Sequence, residues 1–219
     1  MSDCSPIQFV YFDLGNVLVS FDPQRGCQQV AGWAGCQPEQ VYEAVWESGL
    51  EEVFETGQCS PVEFTARIAA HLGGLEGRLQ PSGAPLLDLI SDMFSPIEQT
   101  LTVIQRLQKA GIRIGILSNT CHAHWDWIQR QGWPVASGWS EIDILSFEIG
   151  SMKPAAEIYA AAQQAAAVPA ESIYFTDDRE ENVAGAIRAG WQADLFRGPK
   201  DLHKRLGQLG VPAAAGAVE

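Results

Sequence analysis

Ile7-Gln8-Phe9-Val10-Tyr11-Phe12-Asp13-Leu14-Gly15-Asn16-Val17-Leu18 stands near the start of this chain of 219 residues. From Ile7 to Phe12 the run is short, apolar and rich in β-branched and aromatic residues, which predicts a buried strand. It stops abruptly at an acid, Asp13, followed by Gly15-Asn16. The same grammar recurs further along. Ile112 to Leu117 is an apolar run that ends in Ser118-Asn119-Thr120, and Ile173 to Thr176 ends in Asp177-Asp178. Ile142 to Leu145 and Gln192 to Phe196 read as a fourth and a fifth strand.

Helical stretches separate these runs. Ala155 to Ala167 and Arg179 to Ala189 are alanine-rich. Ser95-Pro96-Ile97-Glu98 reads as a capping box with Pro at the first helical position, followed by Ile97, Leu101, Ile104 and Leu107 at helical spacing. Strands alternating with helices imply an α/β fold: a Rossmann-like parallel sheet sandwiched by helices. Ligands of such sheets bind at the carboxyl ends of the strands, where Asp13, Ser118-Asn119 and Asp177-Asp178 all fall.

The segment from Pro23 to about Ile90 has no convincing strand. Gln37 to Ser48 and Pro61 to Leu72 read as amphipathic helices, the second opened by the capping box Ser60-Pro61-Val62-Glu63. The expected organisation is a core of residues 1–21 and 91–219, with a small all-α cap, residues 22–90, inserted after the first strand.

Bulk composition bounds the partners. The 27 acidic residues outnumber 14 basic ones, giving a formal net charge of -13 without a basic footprint for nucleic acid. No run reaches the roughly 18 apolar residues of a membrane span, and the first residues lack a signal-type apolar core. Cys4, Cys27, Cys36, Cys59 and Cys121 follow no metal spacing and read as free thiols. A cytoplasmic location follows as an expectation, with oligomeric state left open.

Four of the motifs together resemble the haloacid dehalogenase-like hydrolase superfamily. Tyr11-Phe12-Asp13-Leu14-Gly15-Asn16-Val17-Leu18 looks like its first motif and Leu117-Ser118-Asn119-Thr120 like its second. Gly150-Ser151-Met152-Lys153-Pro154 resembles the third, and Phe175-Thr176-Asp177-Asp178 with Asn182 the fourth. Each is weak alone; in order, over the whole chain, they are specific. The form Asp-Leu-Gly-Asn-Val-Leu most resembles bacterial sugar-phosphate phosphatases. The resemblance implies a magnesium-dependent hydrolase of a small phosphorylated metabolite. Asp13, the backbone carbonyl of Gly15 and Asp178 would hold Mg2+, and Asp177 would orient a metal-bound water.

The residue chemistry supports each role. A strand-end carboxylate at Asp13 can attack phosphorus and split hydrolysis into two steps. Two further acids beside it repel it unless a cation intervenes, and magnesium favours carboxylate, carbonyl and water oxygens. The Ser118 hydroxyl and the Asn119 backbone N–H suit a phosphate oxygen. The Lys153 ammonium can neutralise both Asp13 and the transferring group. Asn182, on a first helical turn, can hydrogen-bond one of the paired acids.

One position departs from the family. Its phosphatases usually carry a second Asp two residues after the nucleophile, and here that place holds Gly15. General acid–base catalysis is worth about 10²–10⁴-fold, so three outcomes stand open: a leaving group that needs no help, a substitute proton carrier, or a feeble enzyme that mainly binds phosphate ligands. His122, His124 and Asp22 are the candidate substitutes. Dehalogenases of the superfamily also lack that second Asp and need no metal, which makes a 2-haloacid dehalogenase the rival reading. In the cap, Glu55-Thr56-Gly57-Gln58 reads as a hinge or loop, and Trp33, Trp46, Arg25 and Arg67 are candidates to face a substrate.

Overall fold

The computed structural model describes residues 6–211, except 76, 81 and 137. Cys4, Pro81 and the alanine-rich tail 212–219 lie outside the described residues. The chain begins with β1 (Phe9–Phe12) and β2 (Val19–Phe21). Helices α1 (Pro23–Ala34) and α2 (Pro38–Tyr42) follow, the latter running into a wider π-helical turn at Glu43–Glu47. Then come α3 (Leu50–Glu55), α4 (Pro61–Leu72) and α5 (Leu86–Ser91). The remainder alternates: β3 (Phe94–Pro96), α6 (Glu98–Lys109), β4 (Arg113–Ser118), α7 (His122–Arg130), β5 (Ile142–Leu145), α8 (Ser146–Ile149) and α9 (Ala156–Ala166). It closes with β6 (Ile173–Asp177), α10 (Glu180–Arg188), β7 (Gln192–Leu195) and α11 (Pro199–Gln208).

The five expected strands form one sheet in the order β5-β4-β1-β6-β7, with every neighbouring pair parallel. Central β1 is buried on both faces, which is why its sequence is continuously apolar rather than alternating. Val10 and Phe12 face one way, into a core with Ile104, Ile116, Ile128 and Leu206. Phe9 and Tyr11 face the other, against Tyr159, Phe175 and Trp191. The Tyr11 hydroxyl finds its partner in the Ala162 carbonyl at 2.8 Å. Register fixes the site: Phe12 lies opposite Ile116 on β4 and Thr176 on β6, so Asp13 leaves the sheet beside Leu117 and Asp177.

Helices α1 to α5 bury a cluster of their own, including Val30, Val41, Phe54, Phe64, Ile68 and Ile90, joined by Cys121 and Ala123 at the start of α7. Phe54 and Phe64 stack with centroids 4.2 Å apart. The Ser60 capping box forms as expected: Ser60 Oγ accepts from the Glu63 N–H at 3.2 Å, and Glu63 Oε2 accepts from the Ser60 N–H at 2.8 Å.

The other expected capping box does not form. Ser95 and Pro96 belong to β3, which pairs antiparallel with β2 in a two-stranded ribbon, and α6 starts only after Ile97. Tertiary pairing overrides the local helix signal. The Ile97 N–H donates to the Leu18 carbonyl at 2.9 Å, and Phe94 packs on Phe21. Pro96 is tolerated because it ends the strand of a ribbon that has only one ladder. This ribbon brackets the helical segment where it leaves and rejoins the sheet.

Candidate active site

Asp13 caps the central strand, and its backbone N–H still continues the ladder, donating to the Thr176 carbonyl at 3.0 Å. Its side chain is buried and meets the ammonium of Lys153, with Nζ 2.6 Å from Oδ1. The same Nζ lies 2.6 Å from Asp177 Oδ2 and donates to the Leu117 carbonyl at 2.8 Å. All three donors of the ammonium are thus spent, and Nζ also sits 5.2 Å from the centroid of the Phe175 ring.

Lys153 is held in place by Asn119. Asn119 Oδ1 accepts from the Lys153 N–H at 2.8 Å, and Asn119 Nδ2 donates to the Lys153 carbonyl at 2.9 Å. The backbone N–H of Asn119 is the group expected to face phosphate; its side chain has this separate task of clasping the lysine. Ser118 is buried at the end of β4, and its Oγ donates to the Asn119 carbonyl at 3.2 Å.

Asp177 is fully buried and saturated with donors. Its Oδ1 accepts from the Arg179 N–H at 2.9 Å and from Asn182 Nδ2 at 3.0 Å. Asn182 is itself fixed, because its carbonyl accepts the Tyr159 hydroxyl at 2.7 Å. Asp178 is less enclosed, and its Oδ2 accepts from Asn16 Nδ2 at 2.8 Å. Asn16 has a positive φ of 53°, a conformation that Asn tolerates better than most residues. The turn after Asp13 thereby reaches back to the β6 end. Carboxylate oxygens of Asp13, Asp177 and Asp178 all lie within 4.8 Å of one another.

Three clustered carboxylates with one ammonium, which bridges two of them, leave the cluster short of positive charge. Burial pushes the Asp13 carboxyl up to about 7; Lys153 pulls it down, and Asp177 adds to the rise. For Lys153, burial works against the ammonium, but Asp13 and Asp177 more than compensate and hold it above its ordinary value. A cluster with this deficit is suited to a divalent cation. The donor set is hard oxygen throughout, which fits magnesium.

The candidate substitutes for the missing acid have other partners. Asp22 is exposed and caps α1, accepting from the Gln24 N–H at 3.0 Å. His122 is exposed and packs edge-on against Phe147. His124 is buried, with Nε2 2.9 Å from Glu51 Oε1 and Nδ1 2.9 Å from Ser91 Oγ. Among the described residues, none of the three hydrogen-bonds or ion-pairs with the Asp13 side chain. Of the residues considered as substrate contacts, Arg25 pairs with Asp92, Trp33 lies under Arg78, Trp46 stacks on Tyr42, and Arg67 is exposed on α4.

Sequence reasoning missed the position of Glu55. The hinge or loop expected at Glu55 to Gln58 is the end of α3 and the turn that follows it, and it is pinned to the sheet end. The Glu55 carbonyl accepts from Ser146 Oγ at 2.6 Å, and Ser146 Oγ accepts in turn from the Thr120 N–H at 2.9 Å. No local motif marks this contact, which joins residues 91 positions apart. The four cysteines described, Cys27, Cys36, Cys59 and Cys121, are free thiols, and no described helix is long and apolar enough to cross a membrane.

Residues 7–190 match the family model for haloacid dehalogenase-like hydrolases. Among solved structures, the chain is similar to a HAD family enzyme from Bacteroides thetaiotaomicron, at 22% identity over 92% of this chain and 99% of that one, TM-score 0.79. A second structure of that enzyme, in complex with magnesium and inorganic phosphate, matches at 22% identity over 87% and 94%, TM-score 0.75. The L-2-haloacid dehalogenase of Xanthobacter autotrophicus, with chloropropionic acid covalently bound, matches at 19% identity over 95% and 86%, TM-score 0.60. At these identities the structures speak for the fold, while the family model spans most of the chain. The chain belongs to the haloacid dehalogenase-like hydrolase family.

Proposed function

We propose that this hydrolase is a magnesium-dependent phosphatase of small phosphate monoesters, with sugar phosphates as the leading class, acting through an aspartyl-phosphate on Asp13. The observation that carries this reading is the crowding of Asp13, Asp177 and Asp178 within 4.8 Å of one another, with a buried lysine bridging the first two. Attack on a carbon–halogen bond has no use for that acidic pair. The bound magnesium and phosphate of the Bacteroides enzyme, a protein of the same fold, agree with this reading.

Asp13, Asp178 and the backbone carbonyl of Gly15 would hold the magnesium, which draws off charge from the phosphate oxygens and offsets the repulsion between carboxylates. Asp13 supplies the attacking oxygen. Lys153 holds that carboxylate in line and stabilises the charge that gathers on the transferring group. Asp177, pinned by Asn182 and the Arg179 N–H, keeps Lys153 oriented beside Asp13. Ser118 and the Asn119 N–H would receive the phosphate oxygens. Residues 22–90 act as a cap that closes over Asp13 and sheds water from the reaction.

Phosphate release from a panel of sugar phosphates and nucleotides tests the reading, with magnesium and then with EDTA. Turnover is expected only with the metal, and Asp13→Asn is expected to abolish it. Halide release from a 2-haloacid that survives EDTA would overturn the reading in favour of dehalogenation. Tight binding of phosphate mimics with no turnover would overturn it in favour of a binding protein.

A further inference from the structure

The phosphatase reading leaves one part unfilled. Residue 15 is glycine, and there is little room beside it: a Cβ built there would lie 3.2 Å from the Phe21 ring. A proton donor for the leaving oxygen has to come from another element. Glu55, the last residue of α3, meets the requirement.

We propose, resting on that reading, that Glu55 is the general acid and base of this site, delivered from the helical segment rather than from the strand end. Its backbone is anchored at the carboxyl edge of the sheet. Ser146 Oγ, which donates to the Glu55 carbonyl at 2.6 Å, immediately follows β5, and it also accepts from the N–H of Thr120, two residues beyond Ser118. Two residues after Glu55, Gly57 packs so closely on Phe147 that a Cβ would fall 2.3 Å from the Phe147 carbonyl oxygen. Both contacts hold this end of α3 on the Asp13 side of the sheet.

The side chain is available. Among the described residues, the Glu55 carboxyl makes no hydrogen bond and no ion pair, and the residue keeps only part of its surface exposed. His124 does not claim it, because its Nε2 is taken by Glu51. Electrostatically the carboxyl feels His124 and, more weakly, Lys153 and Asp13 of the candidate site. Burial, then the like charge of Glu51 one helical turn earlier, pushes the Glu55 carboxyl up to about 8. A carboxyl held in that range carries a proton at neutral pH and can part with it, as a general acid must.

In the first step an oxygen of Asp13 bonds to phosphorus. The bond from phosphorus to the leaving oxygen breaks, and the Glu55 proton passes to that oxygen to give the alcohol. In the second step water bonds to phosphorus through its oxygen and yields a proton to the Glu55 carboxylate. The bond to Asp13 breaks, phosphate departs, and both carboxyl groups return to their starting states.

The test compares wild type, Glu55→Gln, Glu55→Asp and Asp13→Asn with magnesium, on p-nitrophenyl phosphate and on a hexose 6-phosphate. An alkyl leaving group needs the acid; p-nitrophenolate does not. For Glu55→Gln, turnover of the hexose phosphate is expected to fall about 10²–10⁴-fold. On p-nitrophenyl phosphate it is expected to give a fast burst of one p-nitrophenolate per enzyme, then slow turnover, because the second step lacks its base. Glu55→Asp is expected to recover part of the loss, and Asp13→Asn to show no burst. Wild-type turnover of the hexose phosphate by Glu55→Gln overturns the assignment. So does loss of the burst together with turnover, which marks a structural role. In both cases the phosphatase reading stands as long as wild type is active and Asp13→Asn is not. An inactive wild type removes that reading and this assignment with it.

Discussion

The ammonium of Lys153 bridges Asp13 and Asp177, 2.6 Å from an oxygen of each, and is itself almost wholly buried. It is the only cation in contact with these two acids among the described residues. Lys153→Ala would leave two buried carboxylates facing each other with no counter-charge. Removing one partner from a buried ion pair costs about 3–5 kcal/mol, and a loss of this size is expected in urea unfolding of the metal-free protein. Added magnesium is expected to restore more stability to the variant than to wild type, because the cation relieves the same repulsion. An unchanged unfolding midpoint would show that the ammonium carries no such weight.

Asp13 carries a cost that the metal-free fold must bear. Its carboxyl is pushed up to about 7 by burial, despite the pull of Lys153, and in the unfolded chain it returns to about 3.9. Between these values the folded protein holds a proton that the unfolded chain has released. Each rise in pH across that window therefore favours unfolding, and the penalty is complete above 7. Asparagine is neutral throughout. Asp13→Asn is expected to melt above wild type without magnesium, by several degrees at pH 8 and by less at pH 5. Thermal melts at the two pH values check this, and a gain no larger at pH 8 than at pH 5 would contradict it.

The strand ends were legible because a strand buried on both faces has to be continuously apolar, so the first polar residue after the run marks its end. Asp13, Ser118 and Asp177 were found in this way, and the parallel register then set them side by side. The helical segment was legible from capping chemistry, as at Ser60. Two things were hidden. The ribbon of β2 and β3 joins short strands some 75 residues apart, while Ser95-Pro96-Ile97-Glu98 locally spells a helix start. The placements of Glu55 and His124 depend on Ser146 and Glu51, far away in sequence, and no spacing rule can convey them.

Gly115 tests how tightly the central strands are packed. It sits on β4 opposite Tyr11, and a Cβ there would lie 2.6 Å from Tyr11 Cε1, 2.9 Å from Phe9 Cε1 and 2.7 Å from the Ile142 carbonyl oxygen. The two rings are buried and the carbonyl belongs to the neighbouring strand, so none can yield freely. Gly115→Ala is expected to destabilise the protein by about 1–3 kcal/mol, the usual cost of overpacking. Chemical denaturation gives the figure directly. A variant as stable as wild type would mean that the rings can turn aside.

Gly57 and Gly49 form a matched pair that separates backbone strain from contact with the sheet. Both have positive φ, 68° and 74°, and both flank α3. A Cβ at Gly49 meets nothing within 4 Å, whereas one at Gly57 would fall 2.3 Å from the Phe147 carbonyl oxygen. Either alanine variant bears the left-handed penalty of roughly 1–2 kcal/mol. Only Gly57→Ala must also push the end of α3 off the core, and with it Glu55, two residues away. Gly49→Ala is therefore expected to lose stability but keep its turnover number on an alkyl phosphate at temperatures where it is folded. Gly57→Ala is expected to lose more stability and to slow on the alkyl phosphate, while p-nitrophenyl phosphate still gives its fast first turnover. Equal kinetics in the two variants would show that the contact with Phe147 does not set the position of Glu55.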